Sequence, residues 1–485
     1  MPGATTFNDR FSEDAAPIPS PDHKEKTAEG TSGSDRDFEE NEEASPVGPV
    51  NSNIYDQPDG KNYRTMGRKD TVLVLTSTQL GLATVTLPSI LKTLGIIPGL
   101  IAIIGSGLLS WYCGYQLLQF YKKHPHVVNI VEAAGVVGGK PFAIITGILM
   151  IVQLMFTCSN AIVTTSIALN TISHHALCTV SFMVIAAVFY FLISLPRTMK
   201  FVSYSGGPNA FGVISAALIV IIGLAIERPK GAPEDWTREI KVVAYPSFRD
   251  AANAVLKALW SFCTNVSFLS YMAEMKDPEK DFAYCLGWLE VSSISIYSVM
   301  AIVIYCLAGQ YTVSPAISSA PLLLAKISYG LMMLGVIAAA LTCGHVPIKL
   351  MYITAMRRMG ALNQITDRSV RSWGTWIACV TVFWIIAFIV SNVIPVFDSI
   401  VQIAAATTVP WLTLGHSSIF WLWINRGKWT ASWQKICLSL ACVGLIVFSA
   451  CVNGIGLWSS ITELLDFFDD PNSNIRGVFS CGDNA

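Results

Sequence analysis

The chain has 485 residues, of which 52% are hydrophobic and 13% are charged; its net charge is −1 and its mean hydropathy is +0.51. Soluble domains average about 25% charged residues, so this composition excludes a soluble globular protein. The net charge gives no basis for nucleic-acid binding. The composition predicts an α-helical protein that crosses a membrane several times.

Residues 1–69 differ from the rest because they are rich in Pro, Gly, Ser, Asp and Glu, with an acidic run at Asp37–Glu43. Such a stretch cannot bury enough apolar surface to order itself, and it lacks the apolar segment of a secretory signal. The sequence predicts a disordered cytosolic tail. This tail is either only solvated or a site for regulatory or ubiquitination machinery, with Lys24 and Lys26 as modifiable residues.

Apolar runs of about 20 residues, the length that crosses a bilayer, follow along the chain. Eleven such spans are predicted, at 71–91, 97–120, 141–170, 178–195, 202–226, 251–273, 284–309, 321–352, 374–394, 397–424 and 434–458. Between spans nine and ten, Pro395 and Asp398 predict a turn. The chain therefore divides into the tail 1–69, a transmembrane domain 70–458 and a short C-terminal tail 459–485.

The charges of the loops predict the orientation. Lys and Arg collect in alternate loops, at Arg64, Arg68 and Lys69; Lys122 and Lys123; Arg197 and Lys200; Lys276 and Lys280; Arg357, Arg358, Arg368 and Arg371; Arg426 and Lys428. Because positive loops remain in the cytosol, the N-terminus is predicted to be cytosolic and the C-terminus, after an odd number of spans, extracellular. Among the twelve cysteines only Cys178 and Cys481 lie near aqueous ends, and the sequence gives no support for a bridge between them.

Spans one and six are interrupted at their middles by small and polar residues, Gln79–Thr84 and Ser261–Asn265. Lipid supplies no replacement hydrogen bonds, so such backbone is tolerated only around a protein-lined cavity. Paired interruptions at matching positions of two halves are the best sequence indication of a transporter's binding site. Span six follows span one by five spans, which predicts a 5+5 inverted repeat of the leucine-transporter type with one extra helix.

A helix broken in mid-membrane offers amide groups to a carboxylate and carbonyl groups to an ammonium, which predicts a zwitterionic, amino-acid-like substrate. The predicted substrate-binding residues are Gly81, Leu82, Ala83, Thr84, Asn160, Ser261, Cys263, Thr264, Asn265, Phe268 and Thr407. The alternative for the small residues is close helix packing, and for the aromatic ones it is ordinary core or lipid contact. No acidic side chain of span six lies near its break, which disfavours cationic substrates.

Polar and ionisable residues at membrane depth are candidates for ion coupling. Thr342 and His345 share a face of span eight, and Glu290 lies in span seven. A histidine titrates near pH 6.5 and could relay a proton; the alternative is a histidine hydrogen-bonded between helices. No cofactor or metal site is indicated, the proton is the expected coupling ion, and Thr342 would also suit a sodium ion.

Two motifs resemble the amino acid/auxin permease family. The run Gln79–Pro88, followed by Leu94 and Gly95, resembles the first helix of the family, and Ala273–Phe282 resembles the end of its sixth helix. The likeness extends from about 70 to 458 and is strongest to fungal neutral amino acid permeases. Many members have Gly-Ser-Gly where this chain has Gly81, Leu82 and Ala83. The resemblance implies eleven helices, secondary transport of amino acids and a plasma-membrane or vacuolar location.

The sequence therefore predicts an importer of neutral aliphatic or aromatic amino acids that works by proton symport and alternating access, placed in the plasma membrane. The alternatives are an exporter in the vacuolar membrane and a receptor that binds an amino acid without transporting it. An enzyme is disfavoured because the spans contain no paired-histidine metal set and no aspartate pair at protease spacing. The expected partners are the neutral amino acid and the lipid bilayer, without nucleic acid.

Overall fold

The computed structural model describes residues 64, 66–197, 206–361, 364, 369–394, 396–469, 478–479 and 481–482. Within them the fold is helical, with one isolated parallel bridge between Met66 and Met275. Most of the predicted N-terminal tail and Pro395 lie outside the described residues. An all-helical membrane fold was predicted from the composition, and the described part of the chain has this architecture.

The helices of the described residues are numbered in chain order. They are α1 (Arg68–Gln79), α2 (Leu87–Leu94), α3 (Ile96–Lys123), α4 (Ile130–Ser173), α5 (Thr179–Ser194), α6 (Gly206–Ile226), α7 (Phe248–Trp260), α8 (Phe268–Glu274), α9 (Pro278–Ala308), α10 (Leu322–Arg358), α11 (Val370–Val393), α12 (Phe397–Thr407), α13 (His416–Ile424) and α14 (Trp433–Asp469).

Seven helices of the described residues are long and apolar enough to cross a membrane, or eight if the bent pair α1 and α2 forms one span. The remaining predicted spans fall on the shorter helix α5 and on the interrupted pairs α7–α8 and α12–α13. The all-helical architecture with several spans is thus confirmed. The count of eleven spans and the inverted repeat stay predictions.

Both predicted interruptions are present. Span one ends as a regular helix at Gln79, passes through a 3₁₀ turn (Leu82–Val85) and resumes at Leu87, with Pro88 in the first turn of α2. Proline suits this position because its missing N–H would have no helical partner there. In span six, α7 ends at Trp260 and a 3₁₀ turn (Cys263–Ser267) precedes α8.

Span ten contains an interruption that the sequence analysis did not predict. Between α12 and α13 the chain forms a π-helical turn (Pro410–Gly415) that begins at a proline. A π-turn widens a helix and is frequent at functional sites. Its first carbonyl, that of Pro410, accepts a hydrogen bond of 2.9 Å from the Ser449 hydroxyl of α14.

Three further features differ from the expectations. Helix α4 begins at Ile130 rather than 141, with non-helical backbone at Gly138 and Gly139. Helix α14 continues to Asp469, beyond the predicted end of the last span at 458. Cys178 and Cys481 form a disulfide, a pairing that the sequence analysis did not predict. The Thr179 hydroxyl beside this disulfide also donates to the Gly482 carbonyl, at 2.7 Å, so residues 481 and 482 are fixed near the start of α5.

The connection between α6 and α7 covers the junction of α2 and α3. The Ile96 amide donates to the Lys241 carbonyl at 3.1 Å, and the Ala244 amide donates to the Leu94 carbonyl at 2.9 Å. At this junction Gly95 has a φ of +89°, and a Cβ built on it would lie 2.7 Å from the backbone of residues 243 and 244. Only glycine combines this dihedral with such a close approach.

A glycine-to-alanine pair tests this contact. Gly95→Ala is expected to lower the unfolding temperature more than Gly231→Ala, which has a φ of +82° but open space around it. Both variants carry the left-handed penalty of roughly 1–2 kcal/mol, and only the first must also displace the covering loop. Thermal unfolding of the two purified variants in detergent measures the difference. Equal losses would show that the loop does not pack against Gly95.

Candidate functional site

A group of buried polar side chains joins the two interruptions. The Ser110 hydroxyl of α3 lies 2.8 Å from Oδ1 of Asn265, in the break of span six, and 2.8 Å from Oε1 of Glu290 in α9. The Asn265 amide nitrogen donates to the Ser110 carbonyl at 3.1 Å, which fixes the orientation of the amide. Asn265 and Glu290 are both fully buried. This arrangement places a carboxyl group next to the unwound part of span six.

The same carboxyl group reaches the break in span one. Nε2 of Gln79, the last residue of α1, lies 3.5 Å from Oε2 of Glu290. About two helical turns further along α9, the Tyr297 hydroxyl donates to the Gln79 carbonyl at 2.5 Å. The Tyr297 ring also contacts the Phe262 ring, beside the break of span six, at a centroid distance of 5.3 Å. Helix α9 therefore supports both breaks.

Hydrogen-bond counting identifies which form of Glu290 fits this group. A serine hydroxyl donates once, and an ionised carboxylate only accepts. Ser110 Oγ faces two oxygens, so with an ionised Glu290 one of the two 2.8 Å contacts would have no proton. A protonated Glu290 would donate to Ser110, and Ser110 would donate to Asn265. All the short contacts are then hydrogen bonds, as buried polar groups require.

In the first break the predicted residues lie as follows. The Gly81 amide donates to the Gln79 carbonyl at 2.8 Å, and its carbonyl accepts from the Thr84 amide at 3.1 Å. The Ala83 carbonyl accepts from the backbone and the hydroxyl of Thr86, at 3.0 and 2.8 Å. The Thr84 hydroxyl is buried without a hydrogen-bond partner among the described residues. Leu82 contributes backbone to the 3₁₀ turn.

In the second break the Asn265 side chain belongs to the polar group around Ser110, whereas the Ser261 side chain does not. The Ser261 hydroxyl donates to the Lys257 carbonyl of its own helix at 2.9 Å, so its side chain completes the end of α7. Cys263 and Thr264 are half-buried in the 3₁₀ turn. Phe268 is fully buried, packs on Phe282 at 5.6 Å and faces Gly114, which places it in the core between helices.

The remaining predicted substrate residues lie on other helices. Asn160, in α4, is buried, and its Oδ1 has no hydrogen-bond partner in the described part of the chain. The Thr407 hydroxyl, at the end of α12, donates to the Ile403 carbonyl of its own helix at 2.8 Å. Neither side chain is hydrogen-bonded to the group around Glu290. Their part in substrate binding stays a prediction.

His345 lies in a different environment from Glu290. Its Nδ1 is 3.1 Å from the Leu341 carbonyl of its own helix, and its Nε2 is 2.8 Å from the Pro196 carbonyl, which follows α5. This geometry is that of a histidine bonded between helices, the alternative weighed for it. The Thr342 hydroxyl donates to the Ala338 carbonyl at 2.9 Å. The structure thus brings Glu290, and not His345, to the breaks.

The sequence analysis missed several residues of the group. Ser110 gave no signal, since serines are ordinary small residues in membrane helices. Gln79 is part of the first-helix motif but is not among the predicted contacts, and Tyr297 is not among the predicted site residues. The sequence analysis considered only the acidic side chains of span six near the second break, whereas Glu290 approaches this break from the neighbouring helix α9.

The fold has a counterpart among solved structures. It is similar to a solved structure of Mhp1, a nucleobase-cation-symport-1 family transporter, with a TM-score of 0.51 and 13% identity, covering 86% of this chain and 94% of that one. Mhp1 was solved in a closed conformation with bromovinylhydantoin bound. At this identity the likeness concerns the fold, which is that of a helical membrane transporter.

The family is more specific than the fold. The family described as "Transmembrane amino acid transporter protein" matches residues 64–462, and the chain belongs to it. This confirms the resemblance drawn from the helix motifs.

Three fungal relatives cover nearly the whole chain. A "Transmembrane transporter" of Gibberella moniliformis is 26% identical and one of Fusarium pseudograminearum is 25% identical, each matching 88% of this chain. An "N amino acid transport system protein" of Neurospora crassa is 24% identical over 86% of this chain. The chain covers 90%, 89% and 89% of these three proteins, respectively.

Asn265→Ala tests whether the polar group supports the breaks. The variant leaves the Ser110 hydroxyl and carbonyl without their partner, at a cost of about 1–3 kcal/mol for buried groups. We expect a lower unfolding temperature and strongly reduced amino acid uptake in proteoliposomes. The control is Asn392→Ala, equally buried but bonded only to the Phe388 carbonyl of its own helix. Uptake equal to wild type in Asn265→Ala would remove the group from the site.

Proposed function

We propose that the chain is a secondary active transporter that imports neutral amino acids together with protons. The observation that carries the proposal is the buried Glu290 carboxyl, hydrogen-bonded through Ser110 to the break in span six and lying near Gln79 at the break in span one. A group that gains or loses a proton there would alter the hydrogen bonds of both breaks. Family membership supports the amino acid as substrate.

A carboxyl group at this position can couple the movement of the proton to that of the substrate, because the hydrogen bonds of the group depend on the Glu290 proton. With the proton on Glu290, every short contact of the group is satisfied and the two breaks are held together through α3 and α9. Without it, Ser110 has one proton for two oxygens, so one of its two 2.8 Å contacts becomes an oxygen–oxygen repulsion, which favours separation of these elements. The equilibrium between two arrangements then depends on the proton, and a ligand that binds one arrangement better shifts it further.

The neutral side-chain preference also follows from this arrangement. A protonated Glu290 carries no charge, so it offers no counter-ion to a cationic side chain. The substrate's own two charges would be met by the helix ends at the breaks, where amide and carbonyl groups lose their helical partners. Aliphatic and aromatic amino acids are therefore the proposed substrates, and alternating access would move spans one, two, six and seven against spans three, four, eight and nine.

Glu290→Gln separates proton coupling from substrate binding. Glutamine keeps the size and can donate to Ser110, but it cannot release a proton. We expect leucine uptake driven by a pH gradient to fall on the order of tenfold, the equivalent of about 1.4 kcal/mol. Exchange of internal for external leucine, which needs no net proton movement, is expected to persist.

Glu234→Gln, on an exposed loop, is the matched control and should transport like wild type. Unchanged pH-driven uptake in Glu290→Gln would contradict the coupling role. Uptake by the wild-type chain that responds to a sodium gradient and not to a pH gradient would reject proton symport itself. Failure of a panel of neutral amino acids to enter the liposomes would reject the substrate class.

The disulfide supports the proposed plasma-membrane orientation. Disulfides persist in oxidising, extracytosolic compartments and are rare in the cytosol. Cys178 precedes α5 and Cys481 lies near the end of the chain, both in regions predicted to be outside. The bridge is therefore compatible with a cytosolic N-terminus and an extracellular C-terminus.

Thiol counting tests this bridge. Protein purified from cells is denatured, its free thiols are blocked, and a maleimide is added after reduction. Of the twelve cysteines of the wild-type chain, two should be labelled after reduction. Cys481→Ser should show no label, because both labelled thiols come from the disulfide. No gain of label in wild type would show that the two cysteines are reduced in cells and would remove this support for the orientation.

A further inference from the structure

A polar cavity lies away from the Glu290 group, where α2, α7, α12 and α14 meet. Its volume is about 180 Å³, well above the roughly 10–15 Å³ that a single water molecule needs. Seven of its lining residues carry polar groups, and these are Ser89, Thr93, Asp250, Asn253, Lys257, Gln402 and Glu463. On the topology proposed above, the cavity is extracytosolic and lies on the outer side of the break in span six.

One wall of this cavity is rich in hydrogen-bond acceptors. Gln402 is 1% exposed, and its Oε1 has no hydrogen-bond partner among the described residues. Glu463 is held in place by the Asn253 amide, whose oxygen in turn accepts from the Ser459 hydroxyl at 2.7 Å. A buried acceptor without a donor is costly, so this wall requires a donor group, and the neighbouring carboxylates favour a positively charged one.

The cavity also carries a cation, Lys257, whose charge acts on the Glu463 carboxylate as well. The Lys257 ammonium lies 2.5 Å from Oδ2 of Asp398 and 3.3 Å from the Ser89 hydroxyl. An ammonium group has three donors, so these two partners leave one N–H for a further acceptor. Asp398 is itself held by the Ser314 hydroxyl at 2.5 Å, which fixes the pair. A carboxylate in the cavity could therefore bind Lys257 without breaking the Lys257–Asp398 ion pair.

We infer that this cavity is a second binding site for an α-amino acid zwitterion, with the ammonium group at Gln402 and Glu463 and the carboxylate at Lys257. A plain inorganic cation would use only the acceptor wall, and an anion would use only Lys257. A zwitterion uses both. The choice of an amino acid as the ligand rests on the proposed function, and the site would hold the substrate before it reaches the breaks.

A thiol placed in the cavity reports on occupancy without requiring transport. The Thr93 hydroxyl donates only to the Ser89 carbonyl of its own helix, at 3.0 Å, so Thr93→Cys loses one local bond. The variant is reconstituted as the full chain and treated with a membrane-impermeant maleimide; the unchanged chain gives the baseline labelling. The probes are L-leucine, isopentylamine, which lacks the carboxylate, and 4-methylpentanoate, which lacks the ammonium group. Uptake of labelled leucine is measured in the same liposomes.

We expect L-leucine to slow the labelling of the added thiol and the two analogues to have little effect. Adding Glu463→Gln should weaken this protection by roughly tenfold or more, as for the loss of a hydrogen bond to a charged group. Asp466→Asn, one turn along α14 and paired with Arg249, is the matched control and should retain it. Protection should also persist with Asn265→Ala, which impairs the inner site only.

Three results would overturn the inference. The first is uptake of leucine without protection, which would leave the proposed transport function intact. The second is equal protection by isopentylamine, which would identify a simple cation site. The third is protection that is lost with Asn265→Ala and kept with Glu463→Gln, which would place the bound leucine at the breaks. Protection without uptake would support this site and count against the proposed transport.

Discussion

The hydroxyl of Ser110 is the contact on which the arrangement of the two broken helices depends. It lies between Asn265, in the break of span six, and the buried Glu290 of α9, at 2.8 Å from each. Two unwound segments inside a membrane protein have few ways to satisfy their polar groups. Here they are satisfied by neighbouring helices, because Tyr297 binds the Gln79 carbonyl and Ser110 binds the Asn265 amide. The breaks are thus fixed by side chains that carry hydrogen-bonding protons.

A chain built in this way can respond to a proton without a large charged cluster. Glu290 has no basic side chain among its hydrogen-bond partners in the described residues. Its proton alone therefore decides whether both contacts of the Ser110 hydroxyl are hydrogen bonds. The Lys257–Asp398 pair lies on the α7 side of the break in span six and joins α7 to α12. Met66 and Met275 join the opposite ends of spans one and six. Contacts at both ends of the broken helices therefore accompany the central group.

The sequence predicts the class of fold and the positions of the breaks well, because hydropathy and helix-breaking residues are local signals. Gly81 and the Ser261–Asn265 run lie within the interruptions. The partners of the breaks were harder to predict, since Ser110 and Glu290 are distant in sequence and come together only through helix packing. Lys257 could have been found, because a charged residue inside a predicted span is a candidate by default. The π-turn after Pro410 and the Cys178–Cys481 bridge depend on tertiary contacts.

The central claim is that Glu290 holds a proton that the substrate cycle moves. Infrared difference spectroscopy of the reconstituted protein, with and without leucine, tests it most directly by detecting the carbonyl stretch of a protonated carboxylic acid. The account predicts such a band in the wild-type chain, a change in it when leucine is added, and its absence in Glu290→Gln. A spectrum in which Glu290 is ionised in both states, with no carboxylic acid band lost in the variant, would contradict it.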